Sequence, residues 1–546
     1  MEDLFERVVR HADQLAAKVA IAKWKPGAAC VETSYAELGR RAKRLAASLA
    51  RLTAEQAMVP LLVGKSADSI AAMLGVIATR RTFCFLNTKL RGPQIAAVLD
   101  AAASPACVVD VLGLVALKGA WKDHPQIART TWLVIGEDRL TGIYADAAHA
   151  LGQVAHVVVL RDEDRAAAPA LVRPGGPRPQ AAGACLFTSG STGTPKGVLI
   201  SEEDLVRRAE AEIEWFGLGK EDVLLSILPF SFDVGLNQLL TALAVGAELV
   251  LLESWLPADI VAVTERRRVT GISGVPSIWQ DMINAGVRFE KQGKHAALRY
   301  ITISGGSLPK EYLPRLGRIA TGVRIFKTYG QTEAFRSTSL RPEDYLTKLD
   351  SVGQPFPGVR VYVVREDGTR CAAGEIGEVV HSGLGTMMGY LGEADSLNPK
   401  LRRNPFWGEN DPSPLAVFTG DLGYLDDAGY LFLKGRRDGM VKVTGNRVYP
   451  QEVADQIATI PGIRDVVVTG MTRADGQSTL IAFLAVARGA DLSLGAVRKV
   501  LGAKLPAFMV PKEIVIVEQI PRTPSGKPDQ RRLVEEYAGG CARGEM

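Results

Sequence analysis

Cysteine and histidine are scarce, with six of each in 546 residues. Cys30, Cys84, Cys107, Cys185, Cys371 and Cys541 lie far apart and form no CxxC pair. That spacing excludes a disulfide scaffold and fits free structural thiols in a reducing cytosol, so a cytoplasmic location is expected. The histidines show no metal-ligand spacing. Long apolar runs are also missing. The most apolar stretch, 239–255, carries Glu248 and Glu253 and reads as a core helix followed by a strand, so no stable membrane insertion is expected. The amino-terminal MEDLFERVVRHADQLAAK has helical spacing and no basic region before an apolar run, unlike a signal peptide. Charge of one sign is not in excess. Against 65 basic residues stand 60 acidic ones, a net of +5. Over this length that is too weak to imply a nucleic-acid partner, though it suits an anionic ligand. No internal repeat is visible.

What is present is ordinary globular material, 47% apolar and 23% charged, in a chain too long for one core. Helix and strand signals alternate through the first 430 or so residues. Residues 35–52 carry apolar side chains at i, i+3, i+4 and i+7, an amphipathic helix. Residues 58–64, 105–111, 130–136 and 154–160 read as buried strands, and 69–79 as a further helix. Such alternation predicts an α/β fold of mostly parallel sheets covered by helices. Two stretches read as exposed loops. One is 173–183, rich in Pro and Gly; the other is 398–414, polar with four prolines. A change near 435–446 suggests a large domain over 1–437 and a small, mobile α/β domain over 438–546.

The strongest local signal is LFTSGSTGTPKGVLIS (186–201). Two apolar strands flank a loop containing Thr188, Ser189, Gly190, Ser191, Thr192, Gly193 and Lys196. Few Cβ atoms, many exposed N–H groups, several hydroxyls and one cation are what wrapping a polyphosphate needs. It is not a Walker A sequence, because GxxxxGK[ST] is absent.

With this loop go YGQTE (329–333), the stretch 418–453 containing FTGD and GRRDGM, LPAFMVP (505–511) and PRTPSGKPDQRRL (521–533). Together, and in this order, they resemble the AMP-forming adenylate-forming ligases. That superfamily includes acyl-CoA synthetases, adenylation domains of nonribosomal peptide synthetases, and luciferases. The resemblance covers nearly the whole chain. It implies ATP and Mg²⁺ as cofactors and acyl-adenylate formation followed by transfer to a thiol. It also implies roles for matching residues. Tyr329 would stack on adenine, Thr332 would bond the α-phosphate, and Glu333 would hold Mg²⁺. Asp421 would accept both ribose hydroxyls, with Arg436 beside them. Lys527 would bridge the substrate carboxylate and ATP. Asp438 would be the hinge on which the small domain turns between adenylation and thiol transfer. On their own, TGD reads as a turn, YGQTE as a helix N-terminus and Lys527 as a solvated loop lysine.

By the same resemblance, 224–240 lines the acyl pocket. Many fatty acyl-CoA synthetases carry a histidine where Phe232 stands here. Phe232–Asp233 instead resembles the pair in amino-acid adenylation domains, whose aspartate binds the substrate ammonium. A carboxylate facing an aliphatic tail would be desolvated without compensation. The other reading is that Asp233 pairs with Arg336, which leaves a neutral pocket for an ordinary acyl chain. Val234, Asn237, Ser273, Gly274, Ser304, Gly305 and Phe335 are expected to complete the wall. The acceptor is either CoA or the phosphopantetheine arm of a separate carrier protein. No carrier domain is seen in the 19 residues after Lys527, so a free-standing enzyme is expected.

Overall fold

The structure is a computed structural model. It describes all residues except 28, 53–56, 118–119, 121–123, 137–139, 161–176, 190–194, 290–294, 394–398, 438, 444–445, 473–477, 488–489, 491, 524 and 544–546. Its first part holds two large, mainly parallel sheets. The nine-stranded sheet runs in space Gln354–Pro355, Phe335–Leu340, Arg324–Gln331, Tyr300–Ile303, Gly271–Gly274, Val223–Ser226, Glu248–Leu251, Val19–Lys23, Val31–Ser34. Its inner pairings are parallel and its outermost pairings antiparallel. The eight-stranded sheet runs from Gly389–Tyr390 through Pro195–Ser201, Ala182–Ser189, Thr82–Leu86, Met58–Leu62, Ala106–Val109 and Thr131–Val134 to Val157–Val159.

Helices Tyr35–Leu52, Ala67–Ala78, Glu202–Phe216 and Asp233–Val245 share one core with strands of both sheets, including Leu45, Met73, Phe216, Leu240, Phe83, Ile21 and Tyr300. The helix–strand alternation read from the sequence is therefore present. The expected buried strand at 154–160 is different: Val157–Val159 is half-buried, because it is the last strand of its sheet and has a neighbour on one side only.

A third, antiparallel sheet joins Val359–Val364, Gly377–Gly383, Leu415–Leu425 and Leu401–Arg403, with Leu431–Arg436 also paired to Leu415–Leu425. This corrects two expectations. TGD is no simple turn but lies inside the strand Leu415–Leu425, kinked at Gly420 with φ +75. The 398–414 segment is no plain surface loop either. It supplies the strand Leu401–Arg403 and buries Asn404 and Asp411. The Asn404 amide donates to Asp411 at 2.9 Å and to the Ser413 carbonyl at 2.8 Å, so its polar residues satisfy each other rather than water.

The last hundred residues build a three-stranded sheet, Ile463–Thr472, Ser478–Val486 and Glu513–Val517, with helices Pro450–Ala458, Leu494–Lys504 and Gln530–Arg543. They have their own core around Val453, Ile457, Leu484 and Leu501. No described helix is long and apolar enough to cross a membrane.

Candidate functional site

Three parallel strands of the nine-stranded sheet end at one cleft. Beyond Val223–Ser226 comes the turn to Phe232 and the helix Asp233–Val245. Beyond Tyr300–Ile303 come Ser304 and Gly305. The third strand, Arg324–Gln331, delivers Tyr329 and Gly330 and then one 3-10 turn, Thr332–Ala334. Carboxyl ends of parallel strands are where open α/β sheets bind ligands. The YGQTE motif is thus a strand end with a single tight turn, not the start of an α-helix. The cleft is lined by Phe232, Asp233, Val234, Asn237, Ser304, Gly305, Thr328, Tyr329, Gly330, Gln331, Thr332, Phe335, Arg336 and Lys527.

Close approach explains two glycines here. A Cβ on Gly330 would lie 1.7 Å from the Phe335 carbonyl oxygen, and one on Gly305 would lie 2.8 Å from the Phe232 ring. Phe335 itself is held at φ +42, a conformation that is costly for a bulky residue and that persists where the surroundings enforce it.

Asp233 is the first residue of its helix and accepts the Val234 N–H at 2.8 Å. Burial pushes its carboxyl above the ordinary aspartate value, against the charges of Lys527, Arg336 and Arg208. The alternative partner is already taken. Arg336 Nη2 lies 2.5 Å from Glu212, a residue of the helix Glu202–Phe216, and Nε lies 3.2 Å from it. The alternative Asp233–Arg336 pair is therefore absent: Glu212, not Asp233, neutralises the arginine. Arg336 Nη1 is buried with no partner. Ser273 is buried in the strand Gly271–Gly274, paired with Thr302, and is not among the cleft-lining residues; neither is Gly274.

Asp421 carries the densest set of contacts. It accepts the Tyr329 hydroxyl and the Gln331 amide, both at 2.5 Å, and Arg436 Nη1 at 3.0 Å. Burial and the Asp421 charge together push the Tyr329 hydroxyl well above its ordinary value. Gln331 is the link onward, with its carbonyl oxygen 3.3 Å from Lys400 Nζ. Lys400 also pairs with Glu333 Oε1 at 2.6 Å, and Tyr390 donates to the same oxygen at 2.7 Å. Burial acts to raise the Glu333 carboxyl, but Lys400 and Tyr390 outweigh it and hold it below the ordinary glutamate value.

Thr188 and Lys196 face each other across the hairpin, the Thr188 hydroxyl donating to the Lys196 carbonyl at 3.4 Å. Lys196 Nζ pairs with Glu393 at 3.0 Å. Ser189 ends its strand. Gly190, Ser191, Thr192, Gly193 and the hinge candidate Asp438 lie outside the described residues.

Lys527 enters from the last hundred residues. Its ammonium is 5.9 Å from the centre of the Phe232 ring. The chain turns tightly just before it: Gly526 has φ +85, and the Thr523 N–H donates to the Lys527 carbonyl at 2.8 Å. Ser277 caps the Gly526 carbonyl at 3.3 Å from the large part.

Thr328, Gln331, Tyr390, Glu393, Lys400 and Glu212 were not singled out in the sequence. Gln331 lies inside YGQTE and Thr328 just before it, so both could have been. Lys400 sits in a segment that reads as loop, and Glu212 is one acid among several on a helix. No group of three or more His, Cys, Asp or Glu among the described residues is placed to hold a metal ion.

The chain belongs to the AMP-binding enzyme family, whose model matches residues 6–391; the model of the AMP-binding enzyme C-terminal domain matches 452–527. It is similar to Indoleacetate–CoA ligase of Aromatoleum aromaticum, 28% identical over 97% of this chain and 98% of that protein. It is also similar to D-alanine–D-alanyl carrier protein ligase of Bacillus licheniformis, 32% identical over 64% of this chain and 70% of that protein. The solved structure of ATP-bound MatB from Rhodopseudomonas palustris superposes with a TM-score of 0.80 at 25% identity, over 98% of this chain and 99% of that one. The chain spans a tenth or less of four much longer synthase subunits that it matches first or nearly first.

Proposed function

We propose that the protein activates an amino-bearing carboxylic acid with ATP and passes the acyl group to the pantetheine thiol of a separate carrier protein. In the first step a carboxylate oxygen attacks the α-phosphorus, the bond to the bridging oxygen breaks, and pyrophosphate leaves. In the second the thiol attacks the acyl carbonyl, a thioester forms, and AMP leaves with the thiol proton passing to solvent. Family membership and the ATP-bound relative support the use of ATP.

The roles follow the chemistry of each group. Lys527 carries the charge that holds the acid against ATP and offsets charge developing at phosphorus. Thr332 donates to the α-phosphate, Tyr329 and Arg436 border the nucleoside, and Asp421 takes the ribose hydroxyls. The strands around Thr188–Lys196 hold the outer phosphates. Glu333 would hold Mg²⁺; a single carboxylate suits a hard cation that arrives on phosphates rather than one caged by protein. When bound, that ion supplies positive charge to the phosphate oxygens.

One observation carries the choice of acid. Asp233 keeps a carboxylate in the cleft with no cation within ion-pair distance among the described residues, because Arg336 is committed to Glu212. An ammonium on the substrate supplies the missing charge. At 4 Å and an effective dielectric near 20 the attraction is roughly 4 kcal/mol before solvation losses. ATP–pyrophosphate exchange across amino acids and unsubstituted acids tests this. Exchange with amino acids is expected; exchange confined to unsubstituted acyl chains overturns it. A second reading, a CoA ligase for a short acid, is favoured by the relative of matching length, whose name carries CoA. AMP release that requires CoA, with no transfer to a carrier protein, would establish it.

A further inference from the structure

Two lysines flank one tyrosine at the edge of the cleft. Lys196 Nζ is 4.9 Å from the centre of the Tyr390 ring and 3.0 Å from Glu393. Lys400 Nζ is 2.6 Å from Glu333, on the oxygen that also accepts the Tyr390 hydroxyl. Each ammonium keeps some contact with solvent, with side-chain exposures of 34% for Lys196 and 25% for Lys400. Each is paired with a carboxylate, and Glu393 keeps its other oxygen buried with no partner. A partly exposed ammonium held this way can exchange a carboxylate oxygen for a phosphate oxygen of similar basicity and geometry. Gln331 ties Lys400 to the nucleoside side of the cleft, since its amide spans from Lys400 to Asp421. Lys400 therefore stands between the residue proposed for the ribose and the lysine proposed for the outer phosphates.

We propose that Lys400 is a second polyphosphate-binding cation acting across Tyr390 from Lys196. When the triphosphate enters, the Lys400 ammonium leaves Glu333 for a β- or γ-phosphate oxygen. It then balances charge on the departing pyrophosphate and frees the Glu333 carboxylate for the cation that travels with the phosphates. The proposal rests on the ATP-using reading of this cleft. No covalent bond changes in the exchange.

Calorimetry on the full chain with ATP and with AMP, both in EDTA, tests it without turnover and without a metal. Lys400→Met is expected to weaken ATP about tenfold and to leave AMP within about twofold, with most of the loss restored in Lys400→Arg. Glu333→Gln releases the lysine without removing it, and is expected to tighten ATP under the same conditions. Equal losses for the two nucleotides, no loss for either, or weaker ATP binding in Glu333→Gln would overturn the proposal. The ligase reading fails separately: no pyrophosphate exchange with any acid, alongside Lys400-dependent ATP binding, removes that reading and leaves the lysine's role intact. Normal exchange with Lys400-independent ATP binding does the reverse, and a wild-type chain that binds neither nucleotide ends both.

Discussion

On the proposed reading Asp233 selects the acid, and its titration has a direction that can be tested. Burial holds its carboxyl above the ordinary value, so the folded chain binds this proton more tightly than the unfolded chain does. Its contribution to stability is therefore favourable while protonated and is lost as pH rises through the raised value. An ammonium ligand needs the opposite, ionised form. KM for an amino acid is expected to climb as pH falls toward that raised value, and Asp233→Asn is expected to remove the climb while raising KM about a hundredfold at neutral pH. Steady-state exchange rates measured from pH 5 to 8 decide this. A pH profile that is unchanged in Asp233→Asn would separate the aspartate from substrate binding. Asp233 was visible in the sequence because it stands beside Phe232 in a family segment. The pairing that takes Arg336 away from it was not, because Glu212 lies 124 residues from Arg336 and only the fold brings them together. Gly526 makes a second prediction at this scale. At φ +85 it has Val275 2.9 Å and Trp255 3.1 Å from where a Cβ would stand. Gly526→Ala combines a strained backbone with that crowding. It is expected to slow adenylate formation at least tenfold, because Gly526 is buried where its loop meets Val275, Ser277 and Trp255 of the large part.

Among elements, the helix Glu202–Phe216 does more for the site than its sequence suggests. It reads as an ordinary charged helix. In the fold it carries Glu212, which bonds Arg336 and the Thr241 hydroxyl, and Arg208, whose guanidinium reaches the Gly385 carbonyl at 3.0 Å and lies over the Phe335 ring. These contacts hold the strand Phe335–Leu340 and the strained Phe335 against the cleft. Glu212 and Arg336 are 3% and 6% exposed, so removing one partner leaves an uncompensated buried charge. Glu212→Ala is expected to cost about 3–5 kcal/mol, read by urea denaturation, and a loss under 1 kcal/mol would mean that the arginine finds water. The 398–414 segment shows the same limit on sequence reading. Its prolines and polar residues look like loop composition, yet Asn404 and Asp411 are polar because they bond each other inside the fold. Lys400, at its start, was hidden by that composition. Strand and helix periodicity elsewhere was legible because apolar side chains repeat at the spacing of the face they bury.

At the scale of the whole molecule, the small domain meets the large one near Lys527 through packing of Gly526 against Val275 and Trp255 and through hydrogen bonds that can each be assigned an effect. The Tyr312 hydroxyl, on the large part, donates to the Arg464 carbonyl at 3.2 Å. Ser277 bonds the Gly526 carbonyl, and Arg522, paired with Asp465 within the small domain, reaches Gln280 at 3.4 Å. All three exist in the orientation that points Lys527 at Phe232. The family resemblance implies that the small domain leaves this orientation before the thiol attacks; on that reading these contacts favour the first step and oppose the second. Weak contacts suit that task, since a neutral hydrogen bond contributes about 0.5–1.5 kcal/mol, enough to shift a two-state population several-fold without locking it. Tyr312→Phe removes one such bond, together with the hydroxyl's long contact to Asn284 within the large part, and keeps the ring that packs in the core. Single-turnover pyrophosphate release is expected to slow roughly two- to tenfold in this variant, while transfer from preformed adenylate to the thiol holds steady or quickens. A parallel fall in both steps would instead make the Tyr312 hydroxyl a general packing contact, and the joint would then have no part in choosing between the two orientations.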